Sequence, residues 1–215
     1  MDKLRSLTWI CSAEFALNAD NVPVSGLSKL TDLRILGADA SFLDLLARME
    51  LPALQKVTSA QFNPGFWSFL RSHGSKLVEL DLVNFSAEDL EIPILEVCPN
   101  IRVLYLYSQL DQCEVAMLQI EHFLTGSATA NSLEKLILRM CTWEKNEDNR
   151  WATFFSTFES TQFPQLNEIQ SLACRWPKKE RDIPKSKWVR WSEILLEQGI
   201  NLTDATRKKW RPRLK

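Results

Sequence analysis

Apolar residues recur along this chain in a short fixed pattern, apolar-x-x-apolar-x-apolar, with polar or charged residues between them. The fullest copy runs from Leu133 to Cys141, with Leu133, Leu136 and Leu138 at the apolar places. Leu30, Leu33 and Ile35 repeat it, as do Leu77, Leu80 and Leu82, and Ile101, Leu104 and Leu106. Weaker copies begin at Leu4 (Leu7, Trp9), Leu54 (Val57, Ser59) and Leu166 (Ile169, Ser171), with an aromatic or a serine in third place. Alternation over the last few positions of each copy predicts a short strand with one buried face.

The first apolar residues of successive copies are 26, 24, 23, 24, 32 and 33 residues apart. A period of about 20 to 29 residues with L-x-x-L-x-L-x-x-N/C is the leucine-rich-repeat signature. One such unit cannot bury its own apolar side, so the layers must stack. The expected fold is therefore an α/β leucine-rich-repeat solenoid, horseshoe-like, with a parallel sheet on the concave face and irregular helices on the convex face. It spans residues 1–175, and residues 176–215 supply a C-terminal capping helix and a basic tail.

Return segments fill the intervals. Ser41 can cap a helix from Phe42 to Met49, with Phe42, Leu45, Leu46 and Met49 on one stripe ahead of Pro52. Phe66 to His73 reads as a short helix closed by Gly74, with His73 in the last turn, where a charged or half-charged imidazole suits the helix dipole. Ser86 caps a segment to Val97 that Pro93 makes irregular. Cys113 to Leu124 has helical spacing, Glu144 to Arg150 is a polar loop, and Trp151 resumes a helix to Phe158. After the charged linker Pro177 to Pro184, Ser186 caps a helix from Lys187 to Gln198. Gly199 and Ile200 fit a Schellman stop. This helix is expected to act as a lid over the layer built on Leu166.

Composition narrows the classes. With 45% hydrophobic and 25% charged residues in 215, the chain has the make-up of a folded domain. No apolar run reaches bilayer length, and Met1 to Ser6 lacks the core of a signal peptide, so a cytoplasmic or nuclear address without membrane attachment is expected. Five cysteines without C-x-x-C spacing and only two histidines predict buried thiols rather than a structural zinc site, and no cofactor is expected. Charge is uneven. Residues 175–215 hold 13 Lys and Arg against 5 Asp and Glu, a net of +8, leaving 13 against 22 in residues 1–174.

Several stretches resemble the leucine-rich C-terminal region of fungal F-box proteins. They are Leu51-Pro-Ala-Leu54, Phe69 to Leu82, Cys98-Pro-Asn-Ile101, and the ending from Trp188-x-x-Trp191 to Trp210-Arg-Pro-Arg-Leu214. The resemblance implies a substrate-recognition surface of a cullin-type ubiquitin ligase. The family's F-box, a short helical N-terminal module that binds a Skp1-type adaptor, has no counterpart in these residues, so adaptor binding is not expected of them.

No G-x-S-x-G elbow, phosphate-binding G-x-x-x-x-G-K or H-E-x-x-H is present, so a non-catalytic protein is expected. Strand alternation instead lists the outward residues: Asp32 and Arg34; Lys56 and Thr58; Glu79 and Asp81; Val103, Tyr105 and Tyr107; Lys135, Ile137 and Arg139; Glu168 and Gln170. Both tyrosines of the chain lie in this set, among charges of either sign. The expected partner is a protein, held by Lys56, Glu79, Asp81, Tyr105, Tyr107, Lys135, Arg139 and Glu168. The basic end, Arg207 to Lys215 around Trp210, carries a secondary expectation of nucleic-acid contact or nuclear import, set against the acidity of the body.

Overall fold

The computed structural model describes residues 3–12, 26–60, 62–84, 94–108, 132–140, 154–155, 158 and 160–211. They form eight strands in one sheet: β1 (Ser6–Cys11), β2 (Asp32–Ala38), β3 (Lys56–Ser59), β4 (Glu79–Val83), β5 (Val103–Ser108), β6 (Lys135–Met140), β7 (Glu168–Ser171) and β8 (Asn201–Thr203). Each strand pairs in parallel with the next, so spatial order follows chain order. Parallel neighbours need a crossover of a dozen or more residues, which the long intervals between apolar motifs supply.

Register follows the sequence pattern residue by residue. Ser6, Asp32, Lys56, Glu79, Val103, Lys135, Glu168 and Asn201 stand side by side. Each of the first seven lies two residues after the first apolar residue of its copy. One place further along, Leu33, Val57, Leu80, Leu104, Leu136 and Ile169 make a fully buried row. The third apolar row contains Ile35, Leu82, Leu106 and Leu138, and also Ser59 and Ser171, both buried. Ser171 is tolerated there because its Oγ accepts a hydrogen bond from the Ala173 amide at 3.3 Å. The first copy is looser: Leu7 and Trp9 are half-buried, Trp9 stacking on Phe42 with centroids 4.2 Å apart.

Against this apolar side pack α1 (Ala40–Arg48), α2 (Pro64–His73), the single turn α3 (Ile94–Val97) and α4 (Lys187–Glu197), whose buried residues join one core with the strands. Helix α1 begins before the expected Ser41. Asp39 is the N-cap, its carboxylate accepting from both the Ser41 amide and hydroxyl. Leu43, outside the stripe read from spacing, is fully buried. Helix α2 starts at Pro64 behind an Asn63 cap, where a missing amide costs nothing.

Gly74 does not close α2 in the left-handed conformation expected of it. Its φ is −55°, and the chain runs on into a 3₁₀ turn, Gly74–Lys76. The glycine is needed for room, since a Cβ would sit 2.5 Å from the Val97 carbonyl and 2.7 Å from Cys98 Sγ. Gly199 does fulfil its expectation. Its φ is +82°, its amide donates to the Leu196 carbonyl, and the Ile200 amide donates to the Leu195 carbonyl at 2.8 Å, the two bonds of a Schellman motif. Ser186 caps α4 through the Val189 amide.

Helix α4 leads on to a strand that the pattern concealed. Leu202 continues the fully buried row beside Ile169, making β8 a further neighbour of β7. Gly199 and Asp204 stand where the first and third apolar residues of a copy belong, so no motif announces this strand. Beyond it, the Asp204 carboxylate accepts from the Thr206 amide and hydroxyl and the Lys208 amide, turning the chain so that Lys209 bridges back antiparallel to Thr203. Burial works against its ionisation, but the bonds from Lys208 and Thr206 prevail and hold its carboxyl below the usual range. The expected segments Ser86–Pro93, Cys113–Leu124 and Glu144–Arg150 lie outside the described residues. From Trp151–Phe158 only Phe154, Phe155 and Phe158 are described, all buried.

Candidate binding face of the sheet

The sheet face opposite the apolar rows carries the polar residues of the pattern. Two clusters form on it. In the first, Lys56 on β3 pairs with Glu79 on β4, and Arg139 on β6 reaches Asp81 on β4 at 3.5 Å. Between them on β5 lies Tyr105. The Arg139 guanidinium sits 4.8 Å from its ring centroid, and Lys56 Nζ lies 6.0 Å from it. In the second, Lys135 on β6 pairs with Glu168 on β7 at 2.8 Å, and Thr203 on β8 donates to the same carboxylate at 2.9 Å.

The structure therefore brings Lys56, Glu79, Asp81, Tyr105 and Arg139 together, and Lys135 with Glu168 beside them. Tyr107 stands in register between Val83 and Arg139 and is half-buried. Not every outward residue is accessible. Thr58, Ile137 and Gln170, expected to be exposed from alternation alone, are buried. Ile137 lies between Tyr105 and Gln170 in register, and Gln170 donates to the carbonyls of Asp204 and Ala205, which draws the turn after β8 toward it. Alternation reports the face a side chain takes, not the size of the neighbours on that face.

Packing shifts the electrostatics. Burial pushes the Asp81 carboxyl above its ordinary value, with Arg139 and Lys56 opposing, and one of its oxygens, Oδ1, is buried without a hydrogen-bond partner among the described residues. Asp32 Oδ1 is in the same condition. Lys56 is raised by its hydrogen bond to Glu79, and the Tyr105 phenol by burial and then by Glu79. An unpartnered buried carboxylate oxygen costs about 1 to 3 kcal/mol or more relative to a bonded one, so Asp81 is held at a cost in stability.

Outside this face the expected roles divide. His73 is not the cationic cap its position implied. It is buried, its Nε2–H donates to the Leu46 carbonyl at 2.9 Å, and its Nδ1 accepts from Lys76. Desolvation, with Lys76 adding to it, lowers its pKa against the effect of the Leu46 bond. Cys98 and Cys174 are buried thiols, both pushed up to about 12, chiefly by burial, while Cys11 is exposed. Cys113 and Cys141 lie outside the described residues. One feature escaped the sequence reading: Arg102 on the strand approach to β5 forms a two-pronged pair with Glu134, at 2.7 and 2.9 Å. Both occupy the place after the first apolar residue of consecutive copies, and that shared offset was the available signal. Among the described residues there is no group of three or more His, Cys, Asp or Glu able to hold a metal, and no helix long and apolar enough to cross a membrane.

The fold and face define an α/β protein built on a single eight-stranded parallel sheet with a charged, tyrosine-bearing side. Searches against family models, curated proteins and solved structures return no match to the chain.

Proposed function

We propose that the chain is a leucine-rich-repeat solenoid that recognises a protein on its concave face without catalysis, in the manner of the substrate-recognition part of an F-box ubiquitin-ligase subunit. The observation that carries this reading is Asp81, a carboxylate kept largely out of water with one oxygen unpartnered, beside Tyr105 and its flanking cations. A partner that brings an N–H or O–H donor to that oxygen recovers the free energy that folding leaves unspent there. Tyr105 offers a large rigid contact surface, and Arg139 and Lys56 fix its ring. Sequential parallel strands support the solenoid, because each copy of the motif then buries its apolar side against the next.

The experiment is affinity capture with the parent chain and with Tyr105→Ala plus Tyr107→Ala, whose folding is verified by circular dichroism. Proteins bound by the parent are expected to be lost from the double variant. Full retention of every captured protein ends this assignment.

A further inference from the structure

Beside β8 the chain builds a cleft of about 690 Å³ that the proposed function does not use. Its walls come from the turn after β8 and from the segment between β7 and α4. Trp176 and Trp210, 34 residues apart in sequence, meet there with ring centroids 6.0 Å apart and planes inclined at 38°. Trp176 is fixed by its Nε1–H, which donates to the Lys208 carbonyl at 3.0 Å. Both indoles are half-exposed, so each shows part of its ring to the cleft.

Around the indoles stand Lys178, Lys179, Arg207 and Arg211, all exposed, outnumbering the two acids of the wall, Glu180 and the Lys135-paired Glu168; none of the four cations has a carboxylate within ion-pair distance among the described residues. On the sheet face, by contrast, Lys56, Lys135 and Arg139 are paired. The turn that presents Arg207 is closed by Asp204, and Arg207 itself takes a left-handed φ of +62°, so its place depends on that turn. Size, charge and flat aromatic surface together narrow the ligand. A volume in the range of about 300 to 1,000 Å³ suits a small molecule or a short polymer segment rather than a folded domain. A cluster of exposed cations attracts an anion, and indole faces add attraction for planar rings.

We propose that this cleft takes a nucleotide unit, phosphate joined to a flat base, presented by single-stranded nucleic acid or as a free nucleotide. Phosphate oxygens meet Lys178, Lys179, Arg207 and Arg211, and the base lies against Trp176 or Trp210. An acidic peptide would satisfy the cations but leave the indoles without a flat partner, so it enters as a competitor in the test.

The test is fluorescence anisotropy of a labelled 12-nucleotide oligothymidine with the full chain, titrated with salt from about 50 mM. Binding is expected, falling with log salt by about 0.7 for each phosphate neutralised. Lys178→Glu plus Lys179→Glu, both exposed and so compatible with folding, is expected to weaken it at least about tenfold and to flatten the salt slope by about 1.4. Trp210→Ala is expected to weaken it about tenfold, with Trp210→Phe restoring most of the loss. ATP displacing the oligonucleotide at equal phosphate concentration assigns the site to free nucleotides, and failure of ATP to displace it assigns the site to the polymer. No binding at about 50 mM salt, binding unchanged by either variant, or displacement by poly-glutamate as readily as by unlabelled oligonucleotide overturns the proposal.

Discussion

The polar face over β3 to β6 and the cleft beside β8 employ the same residue types in opposite states. On the sheet face every cluster is internally balanced: Lys56 with Glu79, Arg139 with Asp81, Lys135 with Glu168. In the cleft Lys178, Lys179, Arg207 and Arg211 form no ion pair among the described residues, although Glu180 and the Lys135-bound Glu168 share its wall. A balanced surface gains little from a charged visitor as such, because each new pair must replace an old one, and it discriminates by geometry. An unbalanced one draws any anion from a distance, with a strength that salt governs. The same chain thus holds a surface suited to selecting and a surface suited to attracting.

The comparison can be broken at its foundation or sharpened at either side. The largest effect is expected from Leu136→Ala, which opens a cavity under β6, the strand bearing both Lys135 and Arg139. A loss of about 2 to 5 kcal/mol in urea denaturation follows from truncating a fully buried leucine, and both regions should weaken together. A smaller and one-sided change is expected from Asp204→Ala. Removing the acceptor of three bonds in the turn should cost about 1 to 2 kcal/mol and abolish oligonucleotide binding, while Tyr105-dependent capture persists.

Asp81→Asn probes the other side and is the smallest in stability. Because the folded-state pKa of Asp81 is raised, the folded chain keeps this proton at pH values where the unfolded chain has lost it. Its contribution is therefore most favourable below about pH 3.9, the unfolded value, and is lost as pH rises through the folded one. The amide carries no such dependence. At about pH 7 the variant should be as stable as the parent or more stable by up to about 1 kcal/mol, the gain disappearing on titration toward pH 4, while capture of the protein partner falls. A destabilisation at neutral pH measured by thermal unfolding would show that Asp81 is a structural acid and not one held for binding.

Much of the sheet is legible in the sequence. Equal offsets within each motif placed Asp32, Lys56, Glu79, Val103, Lys135 and Glu168 in one row, and pairing reproduces that row. What was hidden had physical reasons. The eighth strand has one apolar residue of the usual three, since Gly199 is occupied with ending α4 and Asp204 with making a turn. Gly74 and Gly199 look alike in sequence, yet one is set by the closeness of Val97 and the other by backbone conformation. Ser41 and Asp39 are both good caps, and only the path of the chain selects Asp39. The Trp176–Trp210 meeting joins two segments that share no local pattern, so charge counting found the basic end but not the aromatic walls beside it.

The backward bridge from Lys209 to Thr203 has a consequence for how copies of this chain behave at high concentration. A row of unsatisfied amides and carbonyls along a final strand normally invites a foreign strand to continue the ladder. Here the chain doubles back on its own last strand and crowds that margin with lysine and arginine, so an incoming molecule meets an occupied hydrogen-bonding site and like charge at once. Self-association by strand addition is thereby discouraged at this margin by the very residues that invite polyanions.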